Sequence, residues 1–361
     1  MNEMIHTAEP KISKTARLWM RRWLILIGVM VYAMILVGGA TRLTDSGLSI
    51  TEWKPISGAL PPLSEQHWEE LFDMYKGTAE FRLQNFSMDI SEFKYIYWWE
   101  WGHRLLGRLI GLIAIAGAVV FWSRGWLKHG WAGRFAFLIV LGGLQGAIGW
   151  WMVSSGIGET SRVDVAPYRL MTHFCLALLI IGLIAWYWMQ LGLSEVSGRW
   201  SKWSVALMAF AVVIFIQMGS GALVAGLDAG RTYTDWPLMA GEFVPSRYWM
   251  SELGLRNPFE NIAAAQFNHR MLAYFIGAVG VVLLTKGVLS RREETNCNIA
   301  KPRMHTVILG IAILLQIFWG IYTLVHVAPL SLALIHQGIG VIVFILAIRS
   351  AFKSWSYSSF S

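Results

Sequence analysis

Long apolar runs alternate with shorter polar segments along most of the chain. A transmembrane helix needs about 20 consecutive, mostly apolar residues. Runs of roughly this length lie near residues 23–41, 103–123, 133–153, 169–190, 204–225, 268–289, 304–325 and 332–350. The pattern therefore predicts an all-α polytopic membrane protein with eight transmembrane helices.

Composition and charge agree with this prediction. Of the 361 residues, 55 % are hydrophobic and 14 % are charged, which is too apolar for an ordinary soluble domain. With eight helices, both termini share one side with the segments after the second, fourth and sixth helices, and this side carries 17 of the 30 Lys and Arg residues. Because basic segments stay in the cytoplasm, we expect cytoplasmic termini. The net charge of +8 then reflects topology and does not indicate a nucleic-acid partner.

The basic N-terminal segment leads into the first apolar run without a small-residue cleavage site. We therefore expect a retained transmembrane helix and not a cleaved signal peptide. The segment also lacks the acid-poor, Arg- and Ser-rich composition of a transit peptide. The sequence favours the inner membrane of a bacterium over a mitochondrial membrane.

The first loop on the outer side, about residues 42–99, contains an amphipathic segment. Ser64 is a favourable N-cap and Gly77 a favourable stop. The apolar residues between them follow helical spacing: Trp68, Leu71, Phe72 and Tyr75. We expect a helix that lies on the outer surface of the bilayer.

The chain contains an internal repeat. Residues 43–58 (LTDSGLSITEWKPISG) match residues 226–241 (GLDAGRTYTDWPLMAG) at Asp, Gly, Thr, Trp and Gly with a constant offset of 183. Further matches are WGHRLLG (101–107) with FNHRMLA (267–273), LQGAIGWW (144–151) with LQIFWGIY (315–322), and LMTHFCLAL (170–178) with ALIHQGIGV (333–341). We predict two pseudo-symmetric four-helix bundles, residues 1–195 and 196–361, related by an axis along the membrane normal.

Four histidines lie at the outer starts of the even-numbered helices and form two repeat-related pairs, His103 with His173 and His269 with His336. Polar groups inside a membrane are costly and usually face the bundle interior. Two helices that each supply one histidine can ligate a haem iron from both faces. Zinc or di-iron sites would need further ligands at each pair. Each half is predicted to hold one haem near the outer face, which disfavours electron transfer across the bilayer.

One acidic residue distinguishes the two predicted sites. Glu100 precedes His103 by three residues on the same helix face, whereas Gln266 precedes His269. A carboxylate can accept a proton or stabilise positive charge, and an amide cannot titrate. The N-terminal half is therefore predicted to be the chemical site and the C-terminal half a permanent cofactor site.

Arginines follow two of the histidines directly, Arg104 after His103 and Arg270 after His269. A guanidinium at this depth can pair with a haem propionate or extend to the lipid headgroups. We predict haem-binding roles for both arginines, with the headgroup interpretation left open.

Several motifs together resemble those of the haem A synthase family, in particular its longer proteobacterial and mitochondrial branch: GGATRLTDSGLSITEWKPISGALPP, EWGHRLLGR, THF, FNHRMLAY and LIHQGIG. The resemblance covers about residues 20–350. It implies an oxidoreductase that converts the C8 methyl group of haem O to a formyl group by successive hydroxylations and supplies haem A to cytochrome oxidases. The chain lacks the paired cysteines that some members carry in the first outer loop, which puts a disulfide-dependent step in doubt.

Carried over by motif, the resemblance implies roles for individual residues. His269 and His336 are implied as the iron ligands of a resident haem b, and His103 and His173 as those of the substrate haem O. Glu100 is implied as the essential acid. The implied partners are haem O synthase, which is the protohaem farnesyltransferase, an electron donor, and the lipid membrane that holds the farnesyl tail.

Two other functions stay open on the residues alone. A haem-binding carrier or assembly factor would hold haem at both sites and pass it to an oxidase, and the difference between Glu100 and Gln266 does not favour this function. A membrane cytochrome b subunit for electron transfer would retain two haems permanently, so the haem content of the purified protein distinguishes it.

Overall fold

The computed structural model describes residues 12–158, 160–193, 198–289 and 301–357. Within these ranges, eight helices are long and apolar enough to cross a membrane, which confirms the predicted fold class. Together with three short helices they are α1 (Lys14–Leu43), α2 (Glu65–Lys76), α3 (Ala79–Leu83), α4 (Ile90–Ser123), α5 (Trp131–Val153), α6 (Pro167–Gln190), α7 (Lys202–Gly226), α8 (Asn257–Glu260), α9 (Ile262–Leu289), α10 (Lys301–Val325) and α11 (Leu330–Tyr357).

Local sequence signals explain where several helices begin. At the start of α4, the Asp89 side chain accepts from the Glu92 backbone N–H at 2.9 Å, and the Glu92 carboxylate accepts from the Asp89 N–H at 3.1 Å. Ser201 and Ser204 form the same kind of capping box at α7. Pro167 opens α6, where its missing N–H and fixed φ are favourable. Side chains thus satisfy N–H groups that the first helical turn leaves free.

α4 begins well before the apolar run that the sequence predicts from residue 103. The capping box at Asp89 sets this start, and the first turns of the helix form an extension that carries aromatic side chains. Glu100 and His103 therefore lie inside a continuous helix and not at its first turn. Because a helix fixes the direction of successive side chains, the extension orients both residues.

The amphipathic helix predicted between Ser64 and Gly77 is confirmed as α2, with Ser64 as its N-cap. Its apolar stripe packs within the protein, and its predicted position on the outer surface of the bilayer stays a prediction. Trp68 and Phe72 of α2 are buried against the α4 extension, where Phe93 stacks on Phe72 with ring centroids 5.1 Å apart. The aromatic rings of the extension offer α2 an apolar surface within the protein, so α2 caps the first half.

The same pattern of helix packing occurs twice. In the first half α1 packs on α4 and α6, while α5 packs on α4 and α6. In the second half α7 packs on α9 and α11, while α10 packs on α9 and α11. The halves meet where α6 contacts α7, α1 contacts α11, and α6 contacts α11. This packing is consistent with two related bundles, although the predicted boundary near residue 195 lies outside the described residues.

The loops that follow α1 and α7 begin with the same backbone conformation. Asp45, just after α1, and Asp228, just after α7, are separated by the repeat offset and both have φ of 49°. This left-handed conformation is uncommon outside glycine and is best tolerated by Asp and Asn. The repeat therefore extends from the helices into the backbone of the loops that cover the histidines.

Candidate functional site

The structure brings the four predicted histidines together in the predicted pairs. His103 of α4 lies within electrostatic range of His173 of α6, and His269 of α9 lies within range of His336 of α11. The members of a pair come from different helices, as two ligands on opposite faces of a planar cofactor must.

Each histidine ring faces a glycine on a neighbouring helix. A Cβ atom built on Gly149 of α5 would lie 2.9 Å from Cε1 of His173, and one built on Gly320 of α10 would lie 2.7 Å from Cε1 of His336. The remaining two rings have the same arrangement, with distances of 3.1 Å for Gly38 and His103 and 3.2 Å for Gly221 and His269. Larger residues at these positions would push the rings out of place.

Glutamines that sequence reasoning missed lie beside three of the histidines. Gln145 donates from Nε2 to the His173 carbonyl at 3.1 Å, and its Nε2 lies 3.3 Å from the ring Nε2. Two other glutamines donate to their histidine carbonyls in the same way, Gln217 to His269 at 3.1 Å and Gln316 to His336 at 2.9 Å. All three precede the ring-facing glycine by four residues, so a Q-x-x-x-G pattern within an apolar run is the signal that could have revealed them.

These surroundings fit haem iron. The Oε1 atoms of Gln145, Gln217 and Gln316 are buried and have no hydrogen-bond partner among the described residues. A histidine that ligates a metal normally donates its other ring N–H to such an acceptor. In the described part of the chain, no three His, Cys, Asp or Glu side chains converge on one point, so each pair suits a metal whose other ligands come from a porphyrin.

Glu100 is buried next to His103, in the pair that His103 forms with His173. Glu100 is 2 % exposed, and its Oε2 accepts from Ser49 Oγ and from the Ile50 backbone N–H, both at 2.8 Å. Its Oε1 forms an ion pair with Nη2 of Arg104. A fixed carboxylate one helical turn from His103 can stabilise positive charge that develops at this site.

Arg104 also holds the outer loop of the first half in place. It donates from Nη1 to the Glu52 carbonyl at 2.9 Å and from Nη2 to the Ile50 carbonyl at 2.8 Å. The same loop therefore supplies two donors to Glu100 and two acceptors to Arg104. This network joins the loop, the acid and the arginine next to His103.

Arg270 has the equivalent role in the second half. Its guanidinium donates to the carbonyls of Tyr233, Asp235 and Leu238 at 2.9 to 3.0 Å. The predicted contact of Arg104 and Arg270 with haem propionates stays a prediction, since the partners of both in this structure are loop carbonyls and, for Arg104, Glu100.

The amide that replaces the acid in the second half has a different environment. Gln266 is 2 % exposed and donates from Nε2 to the Tyr233 carbonyl at 2.9 Å, while its Oε1 has no partner among the described residues. At equivalent places, the first half thus has an ion-paired carboxylate, Glu100, and the second half has a neutral amide that binds a loop carbonyl, Gln266.

A second buried carboxyl group lies in α3, directly after α2, and was not singled out by sequence reasoning. Glu80 of α3 is 2 % exposed, and its Oε2 has no partner among the described residues. Burial, together with the nearby carboxylates of Asp45 and Asp164, raises the pKa of Glu80 to about 9. The group is therefore a neutral acid at pH 7.

The eight helices and paired histidines define a polytopic membrane protein of the kind that can bind haem within its bundles. The sequence profile of the COX15-CtaA family, described as cytochrome oxidase assembly protein, matches residues 21–348. The chain belongs to this family.

Its relatives include proteins named haem A synthase. That of Hyphomonas neptunium is 55 % identical over 343 residues, which is 95 % of each chain. That of Paracoccus denitrificans is 47 % identical and covers 93 % of this chain and 88 % of its own. That of Caulobacter vibrioides is 45 % identical and covers 91 % of this chain and 94 % of its own.

Proposed function

We propose that this protein is a haem A synthase that oxidises the C8 methyl group of haem O to a formyl group. The observation that carries the proposal is the buried, three-fold hydrogen-bonded carboxylate of Glu100 next to His103, where the other half has Gln266. The names of relatives 44 to 55 % identical over nearly the whole chain support it.

The two histidine pairs have different roles in this proposal. His103 and His173 hold the iron of the substrate haem O, and His269 and His336 hold a resident haem b. When bound, haem b supplies one-electron transfer. Gln217 and Gln316 orient the ligands of the resident haem, so this haem stays bound. The site of His103 and His173 exchanges substrate and product.

Glu100 provides the charge at the chemical site. Its Oε2 is held by Ser49 Oγ and the Ile50 N–H, and its Oε1 by Arg104. These donors hold the carboxylate in one orientation, so its negative charge stabilises an electron-poor carbon at the methyl group without reorganisation. The same carboxylate accepts the proton that the oxidised carbon gives up.

The lipid environment and the orientation of the chain follow the same proposal. The farnesyl tail of haem O lies in lipid or in an apolar groove, and haem O synthase delivers it. Both termini are cytoplasmic, and the histidine pairs lie toward the periplasmic side of the inner membrane. The Lys and Arg residues on the side of the termini support this orientation.

The test replaces the acid and measures the haems that the purified protein contains. Glu100→Gln keeps the shape of the side chain, and we expect the haem b content to stay near that of the wild type while haem A production falls at least about 100-fold. Glu70→Gln, at an exposed position of α2, is the matched control. Normal haem A production by Glu100→Gln would contradict the proposal.

A second result of the same analysis separates the alternatives. Haem b together with haem O or haem A in the wild-type extract supports a synthase with one cofactor and one substrate site. Two haem b per chain and no other haem would instead indicate an electron-transfer cytochrome.

A further inference from the structure

We propose that His103 is the exchangeable iron ligand of the substrate haem. Met34 makes it exchangeable because it stands where a glutamine would offer the His103 ring a hydrogen-bond partner. The inference rests on the proposed function, because it assumes that haem O lies between His103 and His173. It assigns a positioning role to Gln145 of α5 and to Met34 of α1.

Met34 holds the place that glutamine has at the other histidines. The ring-facing glycine of His103 is Gly38, and the residue four positions before it is Met34. The same step leads from the other ring-facing glycines to Gln145, Gln217 and Gln316. Met34 is also related to Gln217 by the repeat offset of 183 residues.

The side chains at these places contact the helix of their histidine at corresponding positions. Met34 Cε lies 3.4 Å from a Cβ built on Gly107, four residues after His103. Gln316 Nε2 lies 3.2 Å from a Cβ built on Gly340, four residues after His336. Met34 therefore occupies the position of the carboxamide and fills it with a thioether, which is at most a weak acceptor.

A second polar partner is missing from His103 as well. At His269, Ser220 Oγ lies 2.7 Å from the ring Nδ1, in addition to the amide of Gln217. The repeat equivalent of Ser220 is Val37, which has no hydrogen-bonding side chain. The two positions that place polar side chains beside His269 are thus occupied by Met34 and Val37 in the half that contains His103.

These differences change the strength of an iron ligand. A ring N–H that is donated to an acceptor fixes the imidazole and makes it a more basic ligand, and loss of such a partner typically costs about 10- to 100-fold in metal affinity. Gln145 brings a carboxamide with an unpartnered Oε1 to the His173 ring, its Nε2 3.3 Å from the ring Nε2, while the ring Nδ1 has no partner. No side chain of the described residues forms a hydrogen bond with the His103 ring. Of two imidazoles bound to the iron, that of His103 would therefore be released more readily, as a neutral base with its electron pair and without a change in iron oxidation state.

Release of His103 would open the site on the side of Glu100. Glu100 and His103 are separated by one turn of α4, so a small molecule that took the place of the His103 imidazole would lie on the side that carries the buried carboxylate. All three differences between the halves, methionine for glutamine, valine for serine and glutamate for glutamine, are thus found at the same histidine. Release of one ligand also lets substrate enter and product leave.

Carbon monoxide is the probe for an exchangeable ligand. The protein is co-expressed with haem O synthase, purified in detergent, reduced with dithionite and titrated with carbon monoxide while the absorbance of each haem is followed. We expect the wild type to bind it at the substrate haem and not at the resident haem. Met34→Gln supplies the missing acceptor, and we expect its affinity for carbon monoxide to fall about 10- to 100-fold.

Two further variants separate hydrogen bonding from side-chain volume. Met34→Leu removes the sulfur without adding an acceptor, and we expect it to bind carbon monoxide as the wild type does. The double variant Gln217→Met, Ser220→Val gives His269 the surroundings of His103, and we expect the resident haem to become reactive.

The inference is overturned if the wild type binds no carbon monoxide, if Met34→Gln binds it as tightly as the wild type, or if the resident haem of the double variant stays unreactive. The haem content of the same samples keeps this result apart from the proposed function. Normal haem O or haem A content with unchanged carbon monoxide binding would overturn the role of Met34 alone. Absence of both haems from the wild type would contradict the synthase itself.

Discussion

Arg42, at the end of α1, donates from Nη2 to Asp228 Oδ2 at 2.8 Å and so links the two halves at the start of their outer loops. Its Nη1 lies 3.1 Å from Asp45 and 3.3 Å from Asp164. The Arg42 side chain is only 10 % exposed. One guanidinium thus contacts three carboxylates from three different connections between helices.

Replacement of Arg42 is expected to loosen this junction. We expect Arg42→Ala to lower the free energy of unfolding by about 2 kcal/mol at pH 7.5, less than for a fully buried pair because the aspartates are 34 to 44 % exposed and screened by solvent. Burial raises the pKa of Asp164 and Arg42 lowers it, so loss of Arg42 raises it further. The loss of stability should therefore be smaller at pH 5 than at pH 7.5, because Asp164 takes up a proton as the pH falls.

Thermal unfolding in detergent at both pH values measures this effect. Arg231→Ala is the matched control, because Arg231 is 49 % exposed and lies 4.0 Å from Asp228. Equal melting temperatures for Arg42→Ala and Arg231→Ala would show that the cluster does not hold the halves together.

The glycines that face the histidines provide a test of the haem sites. We expect Gly149→Ala to lower the haem content by about one per chain, because the added Cβ would lie 2.9 Å from the His173 ring and displace it. Gly146→Ala, one turn earlier on α5, is the control, since nothing lies within 4 Å of its added Cβ. Pyridine haemochrome analysis gives the haem content, and equal values for the two variants would argue against a ring-facing role of Gly149.

The hydrogen bond from Ser49 to Glu100 should matter for catalysis. We expect Ser49→Ala to lower haem A production about 10-fold, because the buried carboxylate loses one of its donors and with it part of its fixed orientation. Ser49→Thr keeps the hydroxyl and should restore much of the activity. The ratio of haem A to haem O in cell extracts measures the effect, with the exposed Ser87→Ala as control. A normal ratio in Ser49→Ala would remove Ser49 from the catalytic network.

Much of the fold could be predicted because transmembrane helices require long apolar runs, and the repeat made the histidine pairs visible. The start of α4 at Ile90 could not be predicted in this way, because hydropathy does not detect a helix that continues beyond the membrane. The difference between Glu100 and Gln266 was visible in the sequence. The role of Gln145 was not, because an amide in an apolar run acquires a partner only when α5 packs on α6.

The buried acid of α3, Glu80, predicts how the stability of the protein depends on pH. Folded protein keeps the Glu80 proton up to a pKa of about 9, whereas the exposed carboxyl of the unfolded chain releases it near the ordinary value of 4.5. Between these values the unfolded state binds fewer protons than the folded state, so the free energy of unfolding falls as pH rises. Glu80→Gln keeps a neutral, similarly shaped side chain and cannot ionise.

We therefore expect Glu80→Gln and the wild type to melt at similar temperatures at pH 5, and the variant to melt higher at pH 9. A difference of about 1 kcal/mol corresponds to roughly 2 °C or more in melting temperature. Glu69→Gln, which changes an exposed carboxyl of α2, should leave the pH profile as it is. Parallel profiles for Glu80→Gln and the wild type from pH 5 to pH 9 would mean that Glu80 is ionised in the folded protein and that the cap surrounds it with donors. A melting temperature that falls more steeply with pH for the wild type alone would instead show that Glu80 is a neutral acid in the folded protein.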